Sequence, residues 1–154
     1  MKRASRTIKI MAAIGGGFLL CGAAALFMAG ALFESSGVDR GSLVYRLGAP
    51  GHLRSVEILD ECEKPKYRWK GRDGESHPYS SVTYGSLKSA ADLFRSYQST
   101  FDKQSCEMKD GIQSTGNKKH LMLVCAQQDF VSIDIFIADA GTCKEVTLDF
   151  LEND

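Results

Sequence analysis

Apolar residues follow three regimes along this chain. From Ile10 to Phe33 they run together, 24 residues without a charge. That is roughly 36 Å of helix at about 1.5 Å per residue, set against a hydrocarbon core of about 30 Å. The run predicts a transmembrane helix serving as a signal anchor, since the apolar core of a cleaved signal is only about 7–15 residues. Ala23-Ala24-Ala25 and Ala29-Gly30-Ala31 have cleavage-type spacing, which makes a cleaved, secreted form the alternative. Residues 34–51, rich in Gly and Ser, predict a juxtamembrane linker. From position 52 onward, apolar residues either alternate or recur every three to four positions.

Alternation predicts strands, because successive side chains point to opposite faces. A first strand is expected over Leu53–Leu59. In the next segment, Lys64, Lys66, Arg68, Lys70 and Arg72 alternate with Pro65, Tyr67 and Trp69. Asp73-Gly74 predicts a hairpin turn and a return strand over Tyr79–Tyr84. Residues 86–103 predict a helix capped by Ser86, with Leu87, Ala90, Ala91, Phe94, Tyr97 and Phe101 as its apolar stripe. Strands follow at 106–113, 119–127, 130–138 and 143–151. Val131, Ile133, Ile135 and Ile137 should share one face with Val146, Leu148 and Phe150, in a register centred on Ala140-Gly141. Ser132, Asp134, Thr147 and Asp149 should face water.

The expected class is therefore α+β. A basic cytoplasmic segment (1–9) and a membrane helix (10–33) precede the linker (34–51) and an extracytoplasmic domain (52–154). That domain is an antiparallel sheet covered by one main helix. The order after Tyr84, a helix followed by antiparallel strands, resembles a layout that recurs among small secreted and membrane-tethered bacterial domains. The resemblance implies the fold and nothing about activity.

Charge sets the direction of the anchor. Lys2, Arg3, Arg6 and Lys9 precede the apolar run and no acid does, so the N-terminus should stay in the cytoplasm. Beyond them 15 basic residues face 19 acidic ones, a net of −4. A mildly acidic extracytoplasmic domain, expected in the bacterial periplasm, is a poor nucleic-acid binder.

The cysteines agree with this topology. Cys21 lies in the apolar run, and Cys62, Cys106, Cys125 and Cys143 lie beyond it. An even number in an oxidising compartment predicts two disulfides. Spacings of 44, 19 and 18 lack the tight pairs of a zinc site, so no metal is expected. A hairpin centred between Thr115 and Gly116 sets Cys106 opposite Cys125, which leaves Cys62 for Cys143.

Candidate chemistry is sparse. His52, His77 and His120 fall at expected loops or strand edges, and no nucleophile-elbow, zincin or phosphate-loop pattern accompanies them. No catalytic residue and no cofactor is expected. The acidic Asp60, Glu61 and Glu63 are expected to pair with the basic strand that follows.

Two surfaces remain. Lys66, Tyr67, Arg68, Trp69, Lys70 and Arg72 form a basic-aromatic strand suited to an acidic partner or to anionic head groups of the nearby bilayer. The plainer reading is a solvated edge strand whose lysines discourage aggregation. Ala13, Gly17, Cys21, Ala25 and Ala29, four apart, form a small-residue face that lets membrane helices approach closely. Together they point to a membrane-anchored accessory or assembly subunit acting through protein–protein contacts. The alternative is a binding module for envelope lipid, glycan or peptide, which requires a deep apolar pocket between helix and sheet.

Overall fold

The computed structural model describes residues 21, 22, 24–26, 28–30, 32–126, 129–139 and 141–153. They form a mostly antiparallel β-sheet domain with a few helices. Among the described residues no helix is long and apolar enough to cross a membrane. Positions 10–20 of the expected span lie outside those residues, and the described positions between 21 and 33 are helical.

The strands are β1 (Glu34–Asp39), β2 (Glu61–Lys70), β3 (Tyr79–Ser86), β4 (Cys106–Met108), β5 (Gln113–Thr115), β6 (Lys118–Cys125), β7 (Phe130–Ala138) and β8 (Lys144–Glu152). The named helices are α1 (Leu43–Gly48), α2 (Gly51–Ser55) and α3 (Ala90–Asp102). The sheet order is β1-β2-β3-β8-β7-β6-β4, with β5 also on β6. The four pairings from β3 to β4 are all antiparallel, so β4 runs in the direction of β3. The chain must therefore return from the end of β3 to the start of β4, past three intervening strands. α3 makes that return across one face, burying Leu93, Phe94, Tyr97 and Phe101. α1 and α2 cover the rest of the face through Tyr45 and Leu53.

The strand patterns put Tyr67, Val82, Tyr84, Leu121, Leu123, Ile133, Ile135, Ile137, Val146, Leu148 and Phe150 in the core. The opposite face is only partly open: of the residues expected to face water, Asp134, Thr147 and Asp149 are half-buried and Ser132 is buried.

Several elements differ from expectation. Residues 34–39 are not linker but an edge strand paired with β2, Glu34 opposite Lys70 and Asp39 opposite Lys66. Pairing satisfies backbone groups that β2 would otherwise expose. Leu53–Leu59 is α2 followed by coil, not a strand. Its buried residues, Leu53, Val56 and Leu59, fall three apart, which breaks the alternation a half-buried strand needs.

The main helix starts at Ala90, not at 86. Ser89 caps it, accepting from the Asp92 amide at 3.2 Å and donating to the Asp92 carboxylate at 2.6 Å. Ser86 instead ends β3 and donates to the Leu59 carbonyl at 2.5 Å. Leu87 is consequently exposed, and Leu93 takes its place on the stripe.

Both hairpins turn one residue later than expected. Ile137 faces Val146 and Ile133 faces Phe150, which centres β7–β8 on Gly141-Thr142. A bulge between Phe130 and Ser132 then turns Phe130 into the core in place of Val131. Thr115 faces Lys118, which centres β5–β6 on Gly116-Asn117. Between Gln113 and Met108 the chain advances five positions while β6 advances three, from His120 to Leu123. Two residues loop out, and Cys106 meets Cys125 after all.

Both expected disulfides are present, Cys106–Cys125 and Cys62–Cys143, with sequence separations of 19 and 81. By the chain-entropy argument they restrict the unfolded chain by about 3 and about 4.5 kcal/mol. Cys62–Cys143 joins β2 to the residue before β8, across β3. It crosses at Gly85, where an added Cβ would lie 2.5 Å from Cys143 Sγ.

Candidate functional site

Period two in β2 sorts its side chains cleanly. Pro65, Tyr67 and Trp69 are buried, whereas Lys64, Lys66 and Arg68 are exposed on the outer face and Lys70 is half-buried there. Tyr67 and Trp69 therefore leave the expected contact set, because their rings belong to the core. Arg72 lies beyond the strand, in the 71–78 connection. Nor is β2 an edge, since β1 flanks it.

The acids that pair with this row come mainly from β1, not from Asp60, Glu61 or Glu63. Lys66 Nζ lies 2.8 Å from Asp39 Oδ1, and Lys70 Nζ lies 3.2 Å from Asp73 Oδ2 and 3.8 Å from Glu34 Oε2. The hydrogen bond and charge of Lys66 hold the Asp39 carboxyl below its usual range, and Asp73 and Glu34 raise the Lys70 ammonium. Arg68 stands over the Tyr79 ring, 5.0 Å from its centroid.

Farther across the outer face the sign changes. Arg68 is level with Ser81, Asp149 and Asp134 on successive strands. A shallow depression of about 310 Å³ lies along this row, lined by Ser36, Lys66, Arg68, Ser81, Thr147 and Asp149. Asp134 accepts from His120 Nε2 at 2.6 Å, and the His120 ring stacks on Phe136 at 4.5 Å. The outer face is thus graded, basic on β2 and acidic on β7 and β8.

The inner face holds a second polar group that the sequence did not suggest. His52, expected in a loop, sits in α2 and packs against the paired rings of Phe130 and Phe150 at 5.2 and 5.0 Å. Its Nε2 lies 2.8 Å from Ser80 Oγ and 3.3 Å from Glu152 Oε1. Serine, histidine and carboxylate are the parts of a nucleophile relay, but a relay needs the serine and the acid on opposite ring nitrogens. Here both contact Nε2. Ser80 is fully buried, and the gap beside His52 measures about 20 Å³, room for about one water. The group ties α2 to the last strand. His77 is exposed in the 71–78 connection.

The helix–sheet interior is filled. Tyr84 and Tyr97 share a buried hydroxyl–hydroxyl bond, and Tyr97 donates to the Glu57 carbonyl at 3.0 Å. Burial raises both phenols. Among the described residues no cluster of histidine, cysteine and carboxylate could hold a metal.

No protein-family model, curated protein or solved structure matches this chain. Its own geometry carries the functional reading.

That geometry includes a junction the sequence did not reveal. The helical positions before Glu34 end directly on the sheet. Trp69 Nε1 donates to the Leu32 carbonyl at 3.0 Å, and the Gly71 amide donates to the Phe33 carbonyl at 2.8 Å. The Phe33 ring closes over Gly71, where a Cβ would sit 2.7 Å from it, and Leu32 fills the space beside Gly48. Of the small-residue face, Cys21, Ala25 and Ala29 are exposed, and Ala13 and Gly17 lie outside the described residues.

Proposed function

We propose that this chain is a single-pass membrane-anchored accessory or assembly subunit, acting through protein–protein contacts rather than catalysis. The junction at Leu32 and Phe33 is the observation that carries this reading. A flexible spacer lets a tethered module search a wide volume. Two hydrogen bonds and a closed ring instead give the sheet a fixed attitude to the helix that holds it, which suits docking beside a neighbour in the same bilayer.

The docking face is the graded outer surface, with Lys66, Arg68, Lys70 and Arg72 at its basic side and Asp149 and Asp134 at its acidic side. Tyr67 and Trp69 support it from below. The exposed small residues Cys21, Ala25 and Ala29 favour lateral helix packing. Two disulfides favour an oxidising, extracytoplasmic compartment. The filled helix–sheet interior counts against a binding module for lipid, glycan or peptide.

Purification from the native membrane in mild detergent, with cross-linking and mass spectrometry, tests the proposal. A multi-subunit complex with cross-links at Lys64, Lys66 or Lys70 is expected. Recovery as a lone monomer overturns it.

A further inference from the structure

On α1, Leu43 and Leu47 stand one turn apart and are 64% and 61% exposed, while Tyr45 between them is buried. Phe33, the last residue of the charge-free run, is 47% exposed. From Arg40 to Val56 the chain holds Arg40, Arg46 and Arg54 and no acid, on a domain that is otherwise net acidic. α1 ends against the apolar helix, since a Cβ on Gly48 would lie 2.9 Å from Leu32 Cδ2.

We propose that α1 and its flanks form a bilayer-contact surface for anionic phospholipid. This rests on the membrane-anchor reading above. A span ending at Phe33 sets that residue at the boundary between acyl chains and head groups. The contact between Leu32 and Gly48 holds the end of α1 at the same depth, so Leu47 and Phe33 meet the acyl boundary and Leu43 follows one turn behind. Arg40, Arg46 and Arg54 meet lipid phosphates, as basic residues beside buried leucines do on interfacial helices. Scattered exposed leucines need no explanation. These two share a stripe on a helix that ends against Leu32, in a stretch that carries three arginines and no acid.

The test places the full chain, isotopically labelled, in nanodiscs of phosphatidylcholine with phosphatidylglycerol and a trace of head-group paramagnetic lipid. Amide signals of residues 43–47 should lose intensity, while those of Lys118 and Lys144 at the far end of the sheet keep theirs. Leu43→Gln with Leu47→Gln should restore the α1 signals. Incorporation of the chain without loss at 43–47 overturns this inference alone and leaves the anchor standing. Failure of the chain to enter the discs overturns both. Equal loss in discs of phosphatidylcholine alone overturns the role given to the arginines.

Discussion

The indole nitrogen of Trp69 donates to the carbonyl of Leu32, 3.0 Å away and 37 positions earlier in the chain. The carbonyls at a helix end lack intrahelical partners, and here a strand residue and the Gly71 amide supply two of them. Trp69→Phe keeps most of the buried ring and removes the donor, a net loss of about 1 kcal/mol. The domain should remain folded while the junction loosens. Spin labels on Cys21 and on Lys109→Cys should report a broader distance distribution. An unchanged distribution would show that the Gly71 bond and ring packing suffice.

Gly85 should be intolerant of any side chain. Its missing Cβ leaves room for Cys143 Sγ at 2.5 Å and for Glu63 Cβ at 2.7 Å, in a strand packed on both sides. Gly85→Ala should therefore hinder closure of Cys62–Cys143, and losing that bridge forfeits roughly 4.5 kcal/mol. Thiol titration of the unfolded chain should find two more free cysteines than in the native protein. Full oxidation with unchanged thermal stability would contradict the crossing.

Acid should unlatch α2 from the last strand. Burial pushes the Glu152 carboxyl up, but its polar contacts with His52 and Ser80 more than offset this, leaving it below its ordinary 4.5. Folding thus favours the charged form. The contribution is complete above about pH 4.5 and is lost as pH falls through the lower folded value. The melting temperature of the detergent-solubilised chain should drop across that window, and Glu152→Gln should flatten the drop. Superimposable acid limbs for the two proteins would remove the latch from the account.

Ser80 should be inert despite its histidine and carboxylate neighbours. It is fully buried, and Nε2 of His52 is shared between both partners. A fluorophosphonate probe should leave Ser80 unlabelled in the native chain. Adduct formation at that residue would reopen an enzymatic reading.

Charge reversal at Arg68 should separate docking from stability. Its guanidinium lies over the Tyr79 ring on the exposed face, a contact worth only about 0.5–1 kcal/mol at such a site. Arg68→Glu should leave the melting temperature nearly unchanged, as surface substitutions generally do. The same substitution should reduce co-purification of partner subunits from the native membrane. Undiminished recovery of the complex would move the docking surface elsewhere.

Local signals in the sequence determined much of the sheet. The alternation at Lys64–Lys70 and Ile133–Ile137 needed only a period of two, and that period survives whatever the strands pair with. Cysteine spacing and the hairpin pattern likewise led to Cys106–Cys125, although the turn is one residue later and a two-residue loop restores the register. Ser89-x-x-Asp92 and the three-residue steps of Leu53, Val56 and Leu59 were also local signals, legible in the sequence and overridden by the nearby Ser86 and by the expectation of alternation.

Only the tertiary structure decided the rest. Glu34–Asp39 has no strong apolar alternation and becomes a strand because β2 offers it an edge. Tyr67 and Trp69 could have faced a partner, but the fold turns that side of β2 inward. His52, Ser80 and Glu152 meet from three distant segments, as do Leu32, Gly48 and Trp69, and no local pattern encodes such meetings. The sequence determined the apolar run and its charge asymmetry. Its attachment to the sheet came from long-range packing, where hydrogen bonds to Leu32 and Phe33 replace the linker that composition alone suggested.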